Sequence, residues 1–235
     1  MGNVDFDQRL NSKPYRFFDL IYRLLVINVL SIILSVTVIG LFPGIVAATA
    51  TLKEGSVTNV FKQYFKNFLK YFKKAFLVGL ILFILYFLAG YAFYFYAMAE
   101  VEGGTWDPTV VFKHAGLFFS LLALIVITFF SVHLPLLIVT LQSLTVGEIY
   151  RTGFYITFRY FLTTLILFAL QALIIVTFIF CVIDFRVLAI WMLIGISLPI
   201  YLQVKVTAPV YYKLSQIDFE KIMHQVDEDE EEENE

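Results

Sequence analysis

The chain has 235 residues, 60% of them hydrophobic and 18% aromatic, with a mean hydropathy of +0.83. Soluble domains are about 45–50% apolar, so too little polar sequence remains here to wrap several apolar runs of helix length, and a soluble globular protein is excluded. The formal charge of −2 hides two blocks: residues 227–235 hold eight carboxylates, which leaves +6 on the rest, a cationic body suited to an anionic leaflet.

Residues 1–14 read as a polar N-terminal segment, too long before the first apolar run for a signal h-region. Gly2 does not open a myristoylation motif, because Phe6 stands where Ser or Thr is needed. The first apolar run covers 17–40. Within it Asp19 and Arg23 are spaced i, i+4, with Arg16 three residues earlier. They read either as a cation or proton site or as an interfacial salt bridge that seats the helix end, and the second reading is favoured. Asn28, Ser31 and Ser35 form a polar edge deeper in the same helix, suited to a pathway or to hydrogen-bonded packing. Gly40, Pro43 and Gly44 then predict a break, since proline removes a helix donor and biases Phe42 away from α geometry. A short apolar piece follows over 45–52.

An amphipathic interfacial helix is predicted over 57–74. Phe61, Phe65, Phe68, Phe72 and Phe76 recur at steps of four and three, while Lys62, Lys66, Lys70 and Lys74 recur at steps of four, with Lys73 beside them. At about 100° per residue these make adjacent apolar and cationic stripes, as on a helix that binds anionic lipid and fixes topology. A span over 75–99 continues from it or joins it by a bend. The stretch 100–109 is an acidic loop. A third long run covers 116–141, kinked at Pro135, and carries His133. That histidine reads as a proton relay or, preferably, as a structural group bonded to a carbonyl freed by Pro135. A polar patch with Thr145, Glu148, Arg151 and Arg159 leads to the run 160–183. Asp184 and Arg186 mark a turn, and the last run, 187–202, extends to about 210. Gln171 and Gln203 read as interhelical hydrogen-bond partners, and Lys205 as a snorkelling cation. Residues 214–235 read as an acidic, largely disordered tail, which could compete with lipid for the basic helix.

Lysine and arginine placement then sets the orientation. Arg9, Lys13, Arg16 and Arg23 put the N-terminus inside, and the cations from Lys53 to Lys74 are inside too, so the Pro43 segment must return across the bilayer. The expectation is an all-α polytopic transmembrane bundle in the plasma membrane, with about six passes, one of them short and broken at Pro43, and both termini cytoplasmic. The transmembrane domain spans 15–213. There is also a weak internal echo between Phe42-Pro43 with the span after it and Leu134-Pro135 with the span after it.

Gly40-Leu-Phe-Pro-Gly44, with Ala47, Ala48 and Thr51, followed by Val60-Phe61-Lys62 and Tyr64-Phe65-Lys66 before a long span, resembles the YesL family of bacterial membrane proteins. The resemblance covers about residues 17–210. It implies an uncharacterised polytopic protein associated with carbohydrate uptake systems, as a transport accessory or permease component, and it brings no catalytic or binding residues. The acidic tail lies outside the pattern.

No nucleophile elbow, zinc-binding helix or phosphate-binding loop occurs, so no enzyme, cofactor or metal site is expected. The single Cys181 permits no intrachain disulfide. The first functional expectation is a noncatalytic accessory or permease-like component of a solute transport system, partnered by lipid and by an ATPase or solute-binding subunit, with homo-oligomers allowed and no nucleic acid. The second is a structural or regulatory module that binds anionic lipid or a protein through the basic helix. The third is a self-sufficient secondary transporter, which would need a midplane cavity lined by Asn28, His133 or Gln171.

Overall fold

A computed structural model describes residues 13–55, 59–99 and 107–232, with side chains over 15–214 of these apart from 38 and 182. The described residues form nine helices: α1 (Lys13–Ser35), α2 (Val38–Lys53), α3 (Val60–Met98), α4 (Pro108–Ser131), α5 (Leu134–Thr140), α6 (Val146–Arg159), α7 (Phe161–Ile183), α8 (Phe185–Ile194) and α9 (Ser197–Glu232). Most of the predicted acidic loop after Ala99 lies outside the described residues.

Four stretches are long and apolar enough to cross a membrane: α1, α3, α4 with α5, and α7. A fifth results if α8 and α9, bent by 46° at their junction, make one span. The apolar window of α3 is only 17% buried inside the protein, and Phe83, Phe87, Leu88 and Tyr91 stand 57–62% exposed along it. Water would not tolerate a band of that extent, whereas lipid would. At about 1.5 Å per residue, the 16-residue α2 is roughly 24 Å long, short of the roughly 30 Å of hydrocarbon.

The first break is not at Gly40–Gly44. It falls at Val36–Thr37, and α2 runs on through Pro43. The Thr37 side chain accepts from Gly40 N at 3.2 Å and so starts the new helix one turn before the proline. Gly40 is needed for close approach: a Cβ there would lie 2.5 Å from Thr37 Oγ1 and 2.7 Å from Leu34 O. Pro135 does mark a break, between Ser131 and Leu134. It sits in the first turn of α5, where a missing N–H is not needed.

The predicted interfacial helix runs directly on into the span after it: its described part, 60–74, opens the 39-residue α3, about 58 Å long, capped by the Asn59 side chain on Lys62 N. The face that packs inward is Val60, Tyr64, Asn67, Tyr71, Ala75 and Val78, one position before the phenylalanine series. Tyr64 donates to Gly44 O at 3.1 Å and meets Ser31 Oγ at 3.3 Å. Asn67 donates to Thr51 Oγ1 at 3.2 Å. The phenylalanines instead contact one another beside that face, as in the Phe72–Phe76 stack, with Phe61 and Phe65 exposed and Phe68, Phe72 and Phe76 half-buried.

Two further elements depart from the sequence reading. The polar patch after Leu144 is the helix α6, started by a capping box in which Thr145 and Glu148 satisfy each other's backbone N–H. The last run is broken at Gly195–Ile196. Beyond Leu214, α9 continues as helix to Glu232, over residues expected to be irregular. That expectation rested on low hydrophobicity, which disfavours packing, whereas Lys, Gln, Met and Glu are good helix formers.

The core is centred on α5, whose Leu134, Leu137 and Ile138 are fully buried. Because α5 is apolar all round, its neighbours α2, α3, α4 and α6 close over it. A second cluster joins Leu24 and Ile27 of α1, Ala47 and Ala48 of α2, Tyr64 of α3 and Ile200 of α9. In both halves of the predicted echo a short helix follows a break, and the two short helices meet where Lys53 Nζ donates to Thr140 Oγ1 at 2.8 Å.

Candidate functional site

The cations of separate helices collect at one end of the bundle. Lys53 at the end of α2 meets Thr140 at the end of α5, and Lys74 of α3 donates to Gln142 O at 2.7 Å, two residues further on. At this end a cleft of about 930 Å³ opens between α1, the end of α2 and α9. Among the described residues, Arg16, Arg23, Lys53 and Lys205 line it, with Asp19 the one carboxylate. Tyr15, Phe17, Leu20, Leu52, Tyr201 and Val204 supply aromatic and aliphatic wall.

Arg23 is the deepest charge, its side chain 12% exposed. The i, i+4 spacing on α1 gives it Asp19, and it also donates to Gly55 O. Gly55 has φ of +77°, a left-handed conformation that glycine adopts without strain, and this turns its carbonyl toward α1. The third guanidinium donor, Nε, is buried without a hydrogen-bond partner. The two lysines are held by neutral groups: Lys53 by the Thr140 hydroxyl, and Lys205 by the Tyr201 ring, 5.6 Å from its centroid. Among the described residues of the lining, cations therefore outnumber carboxylates.

The five candidate pathway residues do not share one site. Asp19 and Arg23 line the cleft, while Asn28, His133 and Gln171 do not. Asn28 is fully buried and bridges the α8–α9 break. Its Nδ2 donates to Trp191 O at 3.1 Å and Met192 O at 2.7 Å, and its Oδ1 accepts from Ile196 N at 2.7 Å and Ser197 N at 3.0 Å. One side chain thus supplies both donors and acceptors to backbone groups that a helix interruption leaves over.

His133 is likewise fully buried, but its partners are side chains rather than a carbonyl freed by Pro135. Nε2 lies 2.9 Å from Thr164 Oγ1, and Nδ1 lies 3.0 Å from Tyr211 Oη. The Thr164 hydroxyl also reaches Thr157 O at 3.1 Å and Tyr160 O at 3.2 Å, and the Tyr211 hydroxyl reaches His133 O at 3.4 Å. These contacts close α4–α5, α7 and α9 around the imidazole. Gln171 accepts from Gln203 Nε2 at 3.1 Å, as the sequence suggested, and ties α7 to α9.

Of the basic stripe, Lys62, Lys66, Lys70 and Lys73 are exposed, opposite the buried face of α3. Lys70 lies 4.9 Å from the Tyr71 ring centroid. A smaller groove of about 410 Å³ is lined by Lys70, Lys73, Lys74, Gln142 and Thr145. Glu148, on the exposed start of α6, is held below the usual carboxylate range by the Thr145 N–H, then the Thr145 hydroxyl, with a smaller contribution from Lys74. Asp107, which caps α4, is lowered by the Thr109 hydroxyl and then its N–H. No cluster of three or more His, Cys, Asp or Glu suited to a metal occurs among the described residues.

Sequence spacing does not group Lys53 and Lys205 with Arg23. The available signal was that each lies at the end of a different apolar run, so one common topology brings them to one face.

Residues 24–96 match a family described as a protein of unknown function, DUF624. The match runs from within α1 through most of α3 and covers less than half of the chain. No curated protein and no solved structure matches the chain.

Proposed function

We propose that this chain is a noncatalytic multi-pass membrane protein that binds a ligand at its basic end, as an accessory or permease-like component of a solute transport system. The observation that carries the binding role is the cleft of about 930 Å³ at that end, within the range of small-molecule sites. The transport setting, with carbohydrate as the first solute class, rests on the YesL resemblance alone.

In this reading the chain crosses six times, through α1, α2, α3, α4 with α5, α7, and α8 with α9. The short α2 crosses where α3 and α5 surround it, so that protein rather than lipid meets much of its surface. The gathering of Lys53, Lys74, Arg16, Arg23 and Lys205 at one end supports a cytoplasmic placement of that end, and with six crossings both termini lie there. The plasma membrane as the bilayer rests on the YesL resemblance.

Affinity purification from native membranes tests the assignment. A copurifying ATPase or solute-binding protein is the expected result. Recovery of lipid alone would favour a second reading, a lipid- or partner-binding regulatory module, for which the specific support is the exposed face carrying Lys62, Lys66, Lys70 and Lys73. A self-sufficient transporter is less well supported, because Asn28, His133 and Gln171 are each engaged in packing bonds.

A further inference from the structure

Two ammonium groups on the described lining of the cleft point to a ligand class. Asp19 is committed to Arg23, and the ammonium groups of Lys53 and Lys205 have no carboxylate partner among the described residues. Holding like charges around one cavity costs free energy that an entering anion removes, and the effect grows as the surroundings become less polar.

Building on the binding role proposed above, we infer that this cleft takes a phosphate ester, its phosphoryl group held by Lys53 and Lys205 with Arg23 at the back. A carboxylate presents two oxygens, which a single guanidinium saturates. A phosphoryl group presents oxygens in several directions and suits ammonium groups arriving from different helices. The cleft is far larger than an inorganic phosphate, and Tyr15, Leu20, Leu52, Tyr201 and Val204 give the organic part of the ester a wall to lie on. Two sources carry this chemistry: a soluble phosphate ester, and the headgroup of an anionic phospholipid reaching in beside α1, where Phe17, Phe18 and Tyr22 stand 57–67% exposed.

The test uses the full chain in nanodiscs. In phosphatidylcholine discs, glycerol 3-phosphate is titrated and its binding measured directly. In a second arm, phosphatidylglycerol replaces part of the phosphatidylcholine and the rise in Tm is measured. Binding in the first arm identifies a soluble ester, and a Tm rise confined to the second identifies the headgroup. Either supports the site, provided that Lys53→Gln and Lys205→Gln each weaken it by about tenfold or more, the effect of one charge-assisted bond, and Lys205→Arg largely retains it. Arg186→Gln, an exposed cation at the α7–α8 turn outside the cleft, should leave it unchanged. No response in either arm, or an equal loss in Arg186→Gln, overturns the inference. Because the assay uses purified protein, its outcome is independent of whether a transport subunit copurifies.

Discussion

The side-chain amide of Asn28 on α1 lies 2.7 Å from the carbonyl of Met192, 164 residues away at the end of α8. With its other three bonds, this fastens the α8–α9 break to α1. Asn28→Leu keeps the approximate volume but leaves several buried backbone groups unpaired, each costing about 1–3 kcal/mol. Because the chain can relax, the expected net loss in unfolding stability is about 3 kcal/mol. Hydrogen exchange at the Ile196 and Ser197 amides should accelerate in the same variant. An unchanged exchange rate there would show that the break is held by something other than Asn28.

The His133 network makes a similar prediction with a different signature. Tyr211→Phe removes the hydrogen-bond partner of Nδ1, and Thr164→Val removes that of Nε2; each should cost about 1–3 kcal/mol, the penalty for a buried polar atom left unmatched. As both act through one imidazole, their double mutant should depart from additivity by about 0.5–3 kcal/mol. Strict additivity in unfolding experiments would separate the two bonds and remove the idea of a closed network.

The class of fold was legible because apolar runs of span length are a composition-level signal that tertiary contacts do not disturb. The ends of the runs were not. Pro43 reads as a break in any local scheme, yet Thr37 captures the Gly40 amide and starts α2 before it, leaving the proline inside a helix packed on both sides. The phenylalanine stripe on α3 is a true periodicity, but hydrophobicity alone could not tell a lipid-facing stripe from a core-facing one. Tyr64 and Asn67, less apolar, take the inward face because their polar atoms find Gly44 O and Thr51 there. The polar side chains were likewise visible individually. Their grouping was not, since Lys53 and Lys205 become neighbours of one cleft only through the order in which helices return to the basic end.

Packing at Gly79 should be unforgiving. A Cβ there would lie 2.8 Å from the Phe42 Cβ, whereas at Gly90, on the same helix, nothing lies within 4 Å. Gly79→Ala is therefore expected to cost about 1–3 kcal/mol through overpacking against α2. Gly90→Ala is expected to be neutral or stabilising by up to about 1 kcal/mol, since alanine limits the unfolded chain. Paired unfolding measurements of the two variants check the α2–α3 contact, and equal effects would refute it.

The start of α6 should be sensitive to acid. Glu148 accepts from the Thr145 N–H at 2.6 Å and from its hydroxyl at 2.8 Å, and Thr145 Oγ1 accepts from Glu148 N. These bonds favour the carboxylate, so its folded pKa lies below the ordinary value of 4.5. A lowered folded pKa means that the contribution is fully present above the ordinary value and is lost as pH falls through the lowered one. Protection of the first-turn amides of α6 against hydrogen exchange, corrected for intrinsic rates, should therefore decline below about pH 4.5. In Glu148→Gln this acid dependence should disappear while most of the cap remains, because glutamine can also accept from the Thr145 N–H. Thr145→Ala should lower stability by about 1 kcal/mol at neutral pH, since it removes the cap itself. If Glu148→Gln retained the same acid loss as the parent, the titrating group would have to be another carboxylate, and the capping box would not be the acid-sensitive element of α6.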